Sequence, residues 1–158
     1  MKYVILINPK DEIEIKEYRD YHTLNDLVDG WYENCGHFVA DNKLCMLFCN
    51  EEFLFQDNCA FNAIGTTLAA QPIYGNIVVT IDGYNDEGER DSLPMDYSDA
   101  QSISAVLNDL KVFIASILEE LKSKYNDKKP LPKYEVVSSQ EEFIKKICFG
   151  DKEEQKNL

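Results

Sequence analysis

The sequence predicts an α+β fold: a small, mostly antiparallel sheet with a short helix, a long helix packed on it and a C-terminal helix. Short β-branched or alternating apolar runs, separated by turn residues, fill most of residues 1–80, which is the pattern of strands. Beyond residue 98 the apolar positions switch to helical spacing. A chain of 158 residues with 44% hydrophobic content hides roughly 70% of its unfolded surface on folding, enough for one core.

Residues 2–7 are a β-branched apolar run ended by Asn8-Pro9, and Ile13 and Ile15 alternate with Glu12 and Glu14. The chain therefore opens with two strands able to pair as a hairpin. Leu24, Leu27, Val28 and Trp31 follow helical spacing behind Thr23, which with Asp26 reads as a capping box, and this short helix ends near Gly30. Residues 32–39 and 44–49 flank the turn Asp41-Asn42-Lys43 as a second hairpin. Residues 62–68 read as a short helical turn interrupted at Gln71-Pro72, and Gly75-Asn76 leads into a strand over 77–80. Residues 82–99, rich in Asp, Glu, Gly and Asn, read as an exposed loop of unusual length.

Ser98 with Gln101 reads as the cap of a long helix in which Ile103, Leu107, Leu110, Ile114, Ile117 and Leu121 alternate steps of four and three. Val106, Phe113 and Leu118 widen that seam into the stripe of a helix lying across a sheet. At about 26 residues and roughly 39 Å, the helix is also long enough to overhang the domain, so a homodimer through residues 99–124 is the alternative. Lys128 to Pro132 stops it, residues 134–137 suit an edge strand, and Ser139 with Glu142 caps a last helix. The expected organisation is one domain over 1–150, made of a core (1–82), an acidic loop (83–98) and the C-terminal helical part (99–150). A charged tail (151–158) follows.

The formal charge of -13 is unevenly placed, with 6 Lys or Arg against 19 Asp or Glu in residues 1–100 and 10 of each thereafter. Such a field repels phosphates and anionic lipid surfaces, so neither direct nucleic-acid binding nor membrane binding is expected. The apolar run at the N-terminus is too short for a signal peptide or a membrane span, and the expected location is cytoplasmic. Five cysteines without a secretory signal point to reduced thiols packed as small hydrophobes, with no disulfide.

Cys35, His37, Cys45, Cys49 and Cys59 are of types that suit zinc. However, Cys45 and Cys49 on one strand stand roughly 13 Å apart at about 3.3 Å per residue, too far to share an ion. Cys35 and His37, two apart on a strand, point to one face and could pair as nucleophile and base, but no orienting third group is evident. Asp82, Tyr84, Asp86 and Glu87 fail the calcium-loop pattern, which needs oxygen ligands at positions one, three and five and glycine at six. No metal, cofactor or catalytic residue is expected.

One polar set remains: Asn50, Glu51, Glu52, Asn58, Asn62 and Asn76, interleaved with Tyr74 and other aromatics. Amides and carboxylates supply directional hydrogen bonds and rings supply stacking, the two things that read a nucleobase or ribose. The same residues also suit a core of rings with Asn side chains serving the turns.

The run from Tyr21 to Gly30, then Cys49-Asn50-Glu51-Glu52, Asn62-Ala63, and Ile73-Tyr74-Gly75-Asn76-Ile77-Val78-Val79 resembles the phage and plasmid domain of unknown function numbered thirty-eight forty-six. In that family a Leu-bearing helix with a terminal Gly precedes a strand, and Asn-Glu-Glu follows a second strand. An Asn-Ala pair and an Ile-x-Gly before the closing strand complete the pattern. The resemblance covers about residues 1–82 and leaves the long helix and the C-terminal extension without a counterpart. It implies a small mobile-element protein with no assigned reaction, residing in the host cytoplasm if phage-encoded.

Three functions follow as expectations. In the first, a non-catalytic protein captures a small nucleotide-type signal at Asn50, Glu51, Glu52, Asn58, Asn62, Tyr74 and Asn76 and blunts a host defence. In the second, an acidic DNA mimic occupies a DNA-binding defence protein, which requires carboxylates along one exposed ridge. In the third, Glu51 or Glu52 serves as a general base, which requires burial in a cleft.

Overall fold

The computed structural model describes residues 1–53 and 59–126. Asn58, the expected edge strand at 134–137, the last helix and the tail lie outside the described residues. In chain order the elements are β1 (Lys2–Ile7), β2 (Ile13–Tyr18), α1 (Tyr21–Val28), β3 (Tyr32–Ala40), β4 (Lys43–Asn50), α2 (Ala63–Ala69), β5 (Ile77–Tyr84), β6 (Arg90–Leu93) and α3 (Tyr97–Asn126). The fold is α+β, as expected. Its sheet runs β2-β1-β5-β4-β3 with every neighbouring pair antiparallel, and β6 pairs with the far end of β5.

Both expected hairpins form. β1 and β2 pair from Lys2↔Tyr18 to Ile7↔Ile13. β3 and β4 are joined by Asp41 and Asn42, whose φ angles of 51° and 58° are those of the type I′ turn that matches strand twist.

Three boundaries differ from the sequence expectation. α1 is capped by Asp20, not Thr23: the Asp20 side chain accepts from the backbone, including His22 N at 2.9 Å, and Thr23, three residues on, returns the bond with its own side chain. Thr23 is thus the third residue of the box, because its hydroxyl is a better partner for the free amides behind it than for those ahead. The helix α3 starts at Tyr97, with Ala100 N bonded to the Asp96 carbonyl, so Ser98 lies within its first turn and is not its cap.

The third correction is larger. Residues 82–99 are not a long loop: β5 continues to Tyr84, turns over 85–89 and returns as β6. Asn85 Oδ1 closes the turn by accepting from the amides of Glu87 and Glu89, each at 3.0 Å. The strand signal was hidden because β6 carries Arg90, Asp91 and Ser92 in place of alternating apolar residues, and backbone pairing with β5 substitutes for that pattern.

Register divides the sheet into two faces. On the first, Ile5, Ile7, Cys45, Leu47, Cys49, Ile77 and Val79 are all fully buried. The helix α2 sits close on this face. A Cβ on Gly65 would stand 2.5 Å from Ile77 Cδ1, and one on Gly36 would stand 3.2 Å from the Ala69 backbone. Met95 exchanges two 2.8 Å backbone bonds with Tyr3, whose ring meets Tyr97 edge-on at 5.0 Å. Ala100, Ile103 and Leu107 in the first turns of α3 are fully buried.

On the second face, Leu24 and Val28 of α1 form a cluster with Val4, Leu6 and Val78, bordered by Tyr18, Leu27 and Tyr32. The remainder of that face carries no helix among the described residues.

The chain divides into two compact units, residues 1–110 and 111–158. The first holds the sheet, α1, α2 and the opening turns of α3. In the described part of the second, Ile114 is buried while Val112 and Phe113 are 70% and 62% exposed. Among the described residues α3 alone is long and apolar enough to cross a membrane, and its fully buried residues Ala100, Ile103 and Leu107 lie in its opening turns.

Candidate functional site

Two places on the first unit gather polar side chains. The first contains the set expected from sequence, around the C-terminus of α1 and the N-terminus of α2. Asn50, 4% exposed, donates from Nδ2 to the Val28 and Asp29 carbonyls at 3.2 and 2.9 Å and accepts from Glu52 N at 2.8 Å. It satisfies the free carbonyls that end α1. The chain passes so close there that a Cβ on Gly30 would collide with this amide.

Asn62 is fully buried and caps α2. Its Nδ2 donates to the carbonyls of Ile7 (3.0 Å) and Gly75 (2.9 Å), and its Oδ1 accepts from Gly65 N at 2.8 Å. Asn76 Nδ2 donates to the Leu27 carbonyl at 2.9 Å. The Tyr74 ring stacks on Phe53 at 6.0 Å and meets Phe61 edge-on at 5.5 Å. Glu51 and Glu52 stand exposed.

The structure therefore brings the expected residues together, with Asn58 outside the described residues. Asn50, Asn62 and Asn76 spend their amides on backbone groups up to 55 residues away. A buried amide bonded in this way holds elements together and offers a ligand little.

The second place is a shallow groove of about 520 Å³ on the open part of the second sheet face. Its floor is Leu44, Met46 and Phe48 of β4; Asn34 and His37 of β3 line one side, and Asp82 with Arg90, Asp91 and Ser92 lines the other. Asn34 and His37 share this face because of a β-bulge. Asn34 pairs with Phe48 and Gly36 with Leu47, leaving Cys35 as the extra residue. The insertion shifts the alternation by one.

This corrects the expectation that Cys35 and His37 point to one face: Cys35 is buried on the first face and His37 is exposed on the second. No nucleophile and base pair forms there. Of the other cysteines, Cys45 and Cys49 are buried on the first face and Cys59 is half-buried. Among the described residues no three His, Cys, Asp or Glu side chains converge as metal ligands.

The groove carries a negative field. Arg90 is held by Asp82 through Nε at 3.1 and 2.9 Å and Nη2 at 2.9 Å, leaving Asp91 as the excess charge among its lining residues. Burial first, then Tyr32, Asp20 and Asp91, pushes the nearby Tyr18 hydroxyl above its usual range. Sequence reasoning missed this site because half of it lies in the segment read as loop. The usable signal was Arg90, the single cation in an acidic stretch with Asp82 eight residues before it, the spacing of a hairpin pair.

Residues 1–105, out of 158, match a family model described as Domain of unknown function (DUF3846). The match runs past residue 82, where the resemblance read from motifs ended, to take in β6 and the opening turns of α3. No curated protein and no solved structure matches the chain.

Proposed function

The chain belongs to the DUF3846 family, and on that premise we propose that it is a non-catalytic binding protein whose sheet groove captures a small nucleoside-type ligand. The observation that carries this reading is the groove: a volume of about 520 Å³ with an apolar floor and hydrogen-bonding sides. Pockets of roughly 300–1,000 Å³ with a few convergent polar groups are the usual size and make-up for small-molecule sites. The Met46 and Phe48 floor suits a flat base, and Asn34, His37 and Ser92 supply donors and acceptors for its edge and for ribose hydroxyls.

The charge refines the notion of a nucleotide-type signal. Among the described residues Arg90 is the one Lys or Arg lining the groove, and it is bound on two atoms to Asp82. A phosphate there would face Asp91 with no free cation to meet it, so the base and sugar are the parts that enter. Sequestration of such a molecule by a mobile-element protein, blunting a host defence, is the role this binding serves.

The other two readings lack support in the geometry. Exposed carboxylates are spread over β2, both ends of α1, β3, the β5–β6 turn and α3, where a DNA mimic needs one ridge. Glu51 and Glu52 are exposed, where a general base needs a cleft.

Calorimetric titration with the four ribonucleosides and their 5′-monophosphates tests the proposal. Heat is expected with at least one nucleoside, with weaker binding of its monophosphate and loss of binding in Asn34→Ala and His37→Ala. Silence from all four nucleosides, or binding unaltered by both substitutions, overturns it.

A further inference from the structure

The β3 bulge sets a second cysteine beside Cys49. Cys35 is the residue without a cross-strand partner, inserted where Asn34 pairs with Phe48 and Gly36 with Leu47, and Glu33 pairs with Cys49. Cys35 and Cys49 both lie on the covered face, 8% and 0% exposed, and their thiols are near enough to perturb each other's ionisation. Cys35 is thus a diagonal neighbour of Cys49, at a spacing of about 7–8 Å, somewhat less between Cβ atoms, that must close to the roughly 3.5–4.5 Å a disulfide spans between Cβ atoms. The bulge is also held from outside. Gln71 Nε2 donates to the Cys35 carbonyl at 2.6 Å, and Ala69 packs against Gly36.

We infer that Cys35 and Cys49 are a site of reversible oxidation, closing an intramolecular disulfide across the bulge when the protein meets a hydroperoxide. This goes beyond the binding role and does not depend on it. The cysteines are free thiols in the structure, and in a reducing compartment disulfides are transient and redox-sensing.

The two sulfurs are not equivalent. Interaction with Cys35 lowers the Cys49 thiol, while the same interaction and burial raise that of Cys35. Cys49 is thus the attacking group. Its thiolate bonds to one peroxide oxygen, the O–O bond breaks, and the departing hydroxide takes up a proton as water, leaving a sulfenic acid on Cys49. The Cys35 sulfur then bonds to the Cys49 sulfur, the S–O bond breaks, and the second oxygen leaves with the Cys35 proton as water. Two thiols are oxidised to one disulfide and one hydroperoxide is reduced. Because both thiols are buried, access depends on opening of β3, which is an edge strand of the sheet.

The full chain, treated with hydrogen peroxide, blocked with an alkylating agent and digested without reductant, is expected to yield a Cys35–Cys49 linked peptide that dithiothreitol removes. Its urea midpoint is expected to rise on oxidation. In Cys35→Ser, Cys49 should instead accumulate as a sulfenic acid that reacts with dimedone, and Cys49→Ser should lose the linked peptide altogether. Complete alkylation of Cys35 and Cys49 after peroxide, or linkage of either one to a different cysteine, overturns the inference. So does an oxidised protein with the reduced protein's urea midpoint.

Discussion

The two faces of the sheet are made from alternate residues of the same strands and have different fates. On the first, β-branched residues, cysteines and Leu47 lie under α2 and the opening turns of α3, and every one of the seven central side chains is fully buried. On the second, α1 packs on Val4, Leu6 and Val78, and the strands beyond it carry Asn34, His37 and Arg90 in the open. One face supplies cohesion through area removed from water, and the other remains free for a ligand.

The sharpest way to break this division is to remove volume from the covered face. Ile77→Ala leaves a cavity beneath Gly65, where Ile77 Cδ1 fills the space a Cβ would take. It is expected to cost about 2–5 kcal/mol by urea denaturation, and a loss under 1 kcal/mol would mean that the face is less tightly packed than its burial implies. Asn62→Ala is expected to follow closely. It strips the partners from the Ile7 and Gly75 carbonyls and from Gly65 N in a fully buried place, a loss of about 3 kcal/mol. A cost below 1 kcal/mol would free Asn62 for a ligand role after all.

A third test uses pH. Burial pushes the Cys45 thiol up from 9.0 to about 11. Below pH 9 folded and unfolded chains both keep the proton. Between pH 9 and 11 the unfolded chain loses it and the folded chain does not, so stability falls as pH rises, by at most about 1.4 kcal/mol per unit. Cys45→Ala should flatten the difference between urea midpoints at pH 9 and pH 10.5; equal slopes in the two proteins would mean that Cys45 is reached by water.

The smallest effect belongs to the open face. His37→Ala and Asn34→Ala should change stability by no more than about 0.5 kcal/mol, as surface substitutions do. A larger loss would show that these side chains serve the fold and would undercut the groove as a site.

Much of this architecture was legible because its signals are local. The Ile13-Glu14-Ile15 alternation, the Asp41-Asn42 turn and the apolar spacing of α1 and α3 each lie within a few residues of the element they specify. The family motifs were legible too, and the amides in them proved to be fasteners: Asn62 reaches Ile7 across 55 residues and Asn76 reaches Leu27 across 49. A chain read one window at a time cannot show a partner so distant, and an Asn bonded to backbone has the same letter as one that binds a ligand.

The sequence by itself determined strands β1 to β5, the helices α1 to α3, the two hairpins, the acidic balance and the family. Hydrophobic period, turn chemistry and charge are properties of neighbouring residues and survive without a fold. Only the tertiary structure decided that residues 82–84 and 90–93 pair as strands, that an inserted Cys35 turns His37 to the open face, and that Arg90 is bound to Asp82. Each of these depends on which strand lies alongside, and strand pairing is settled by burial across the whole sheet.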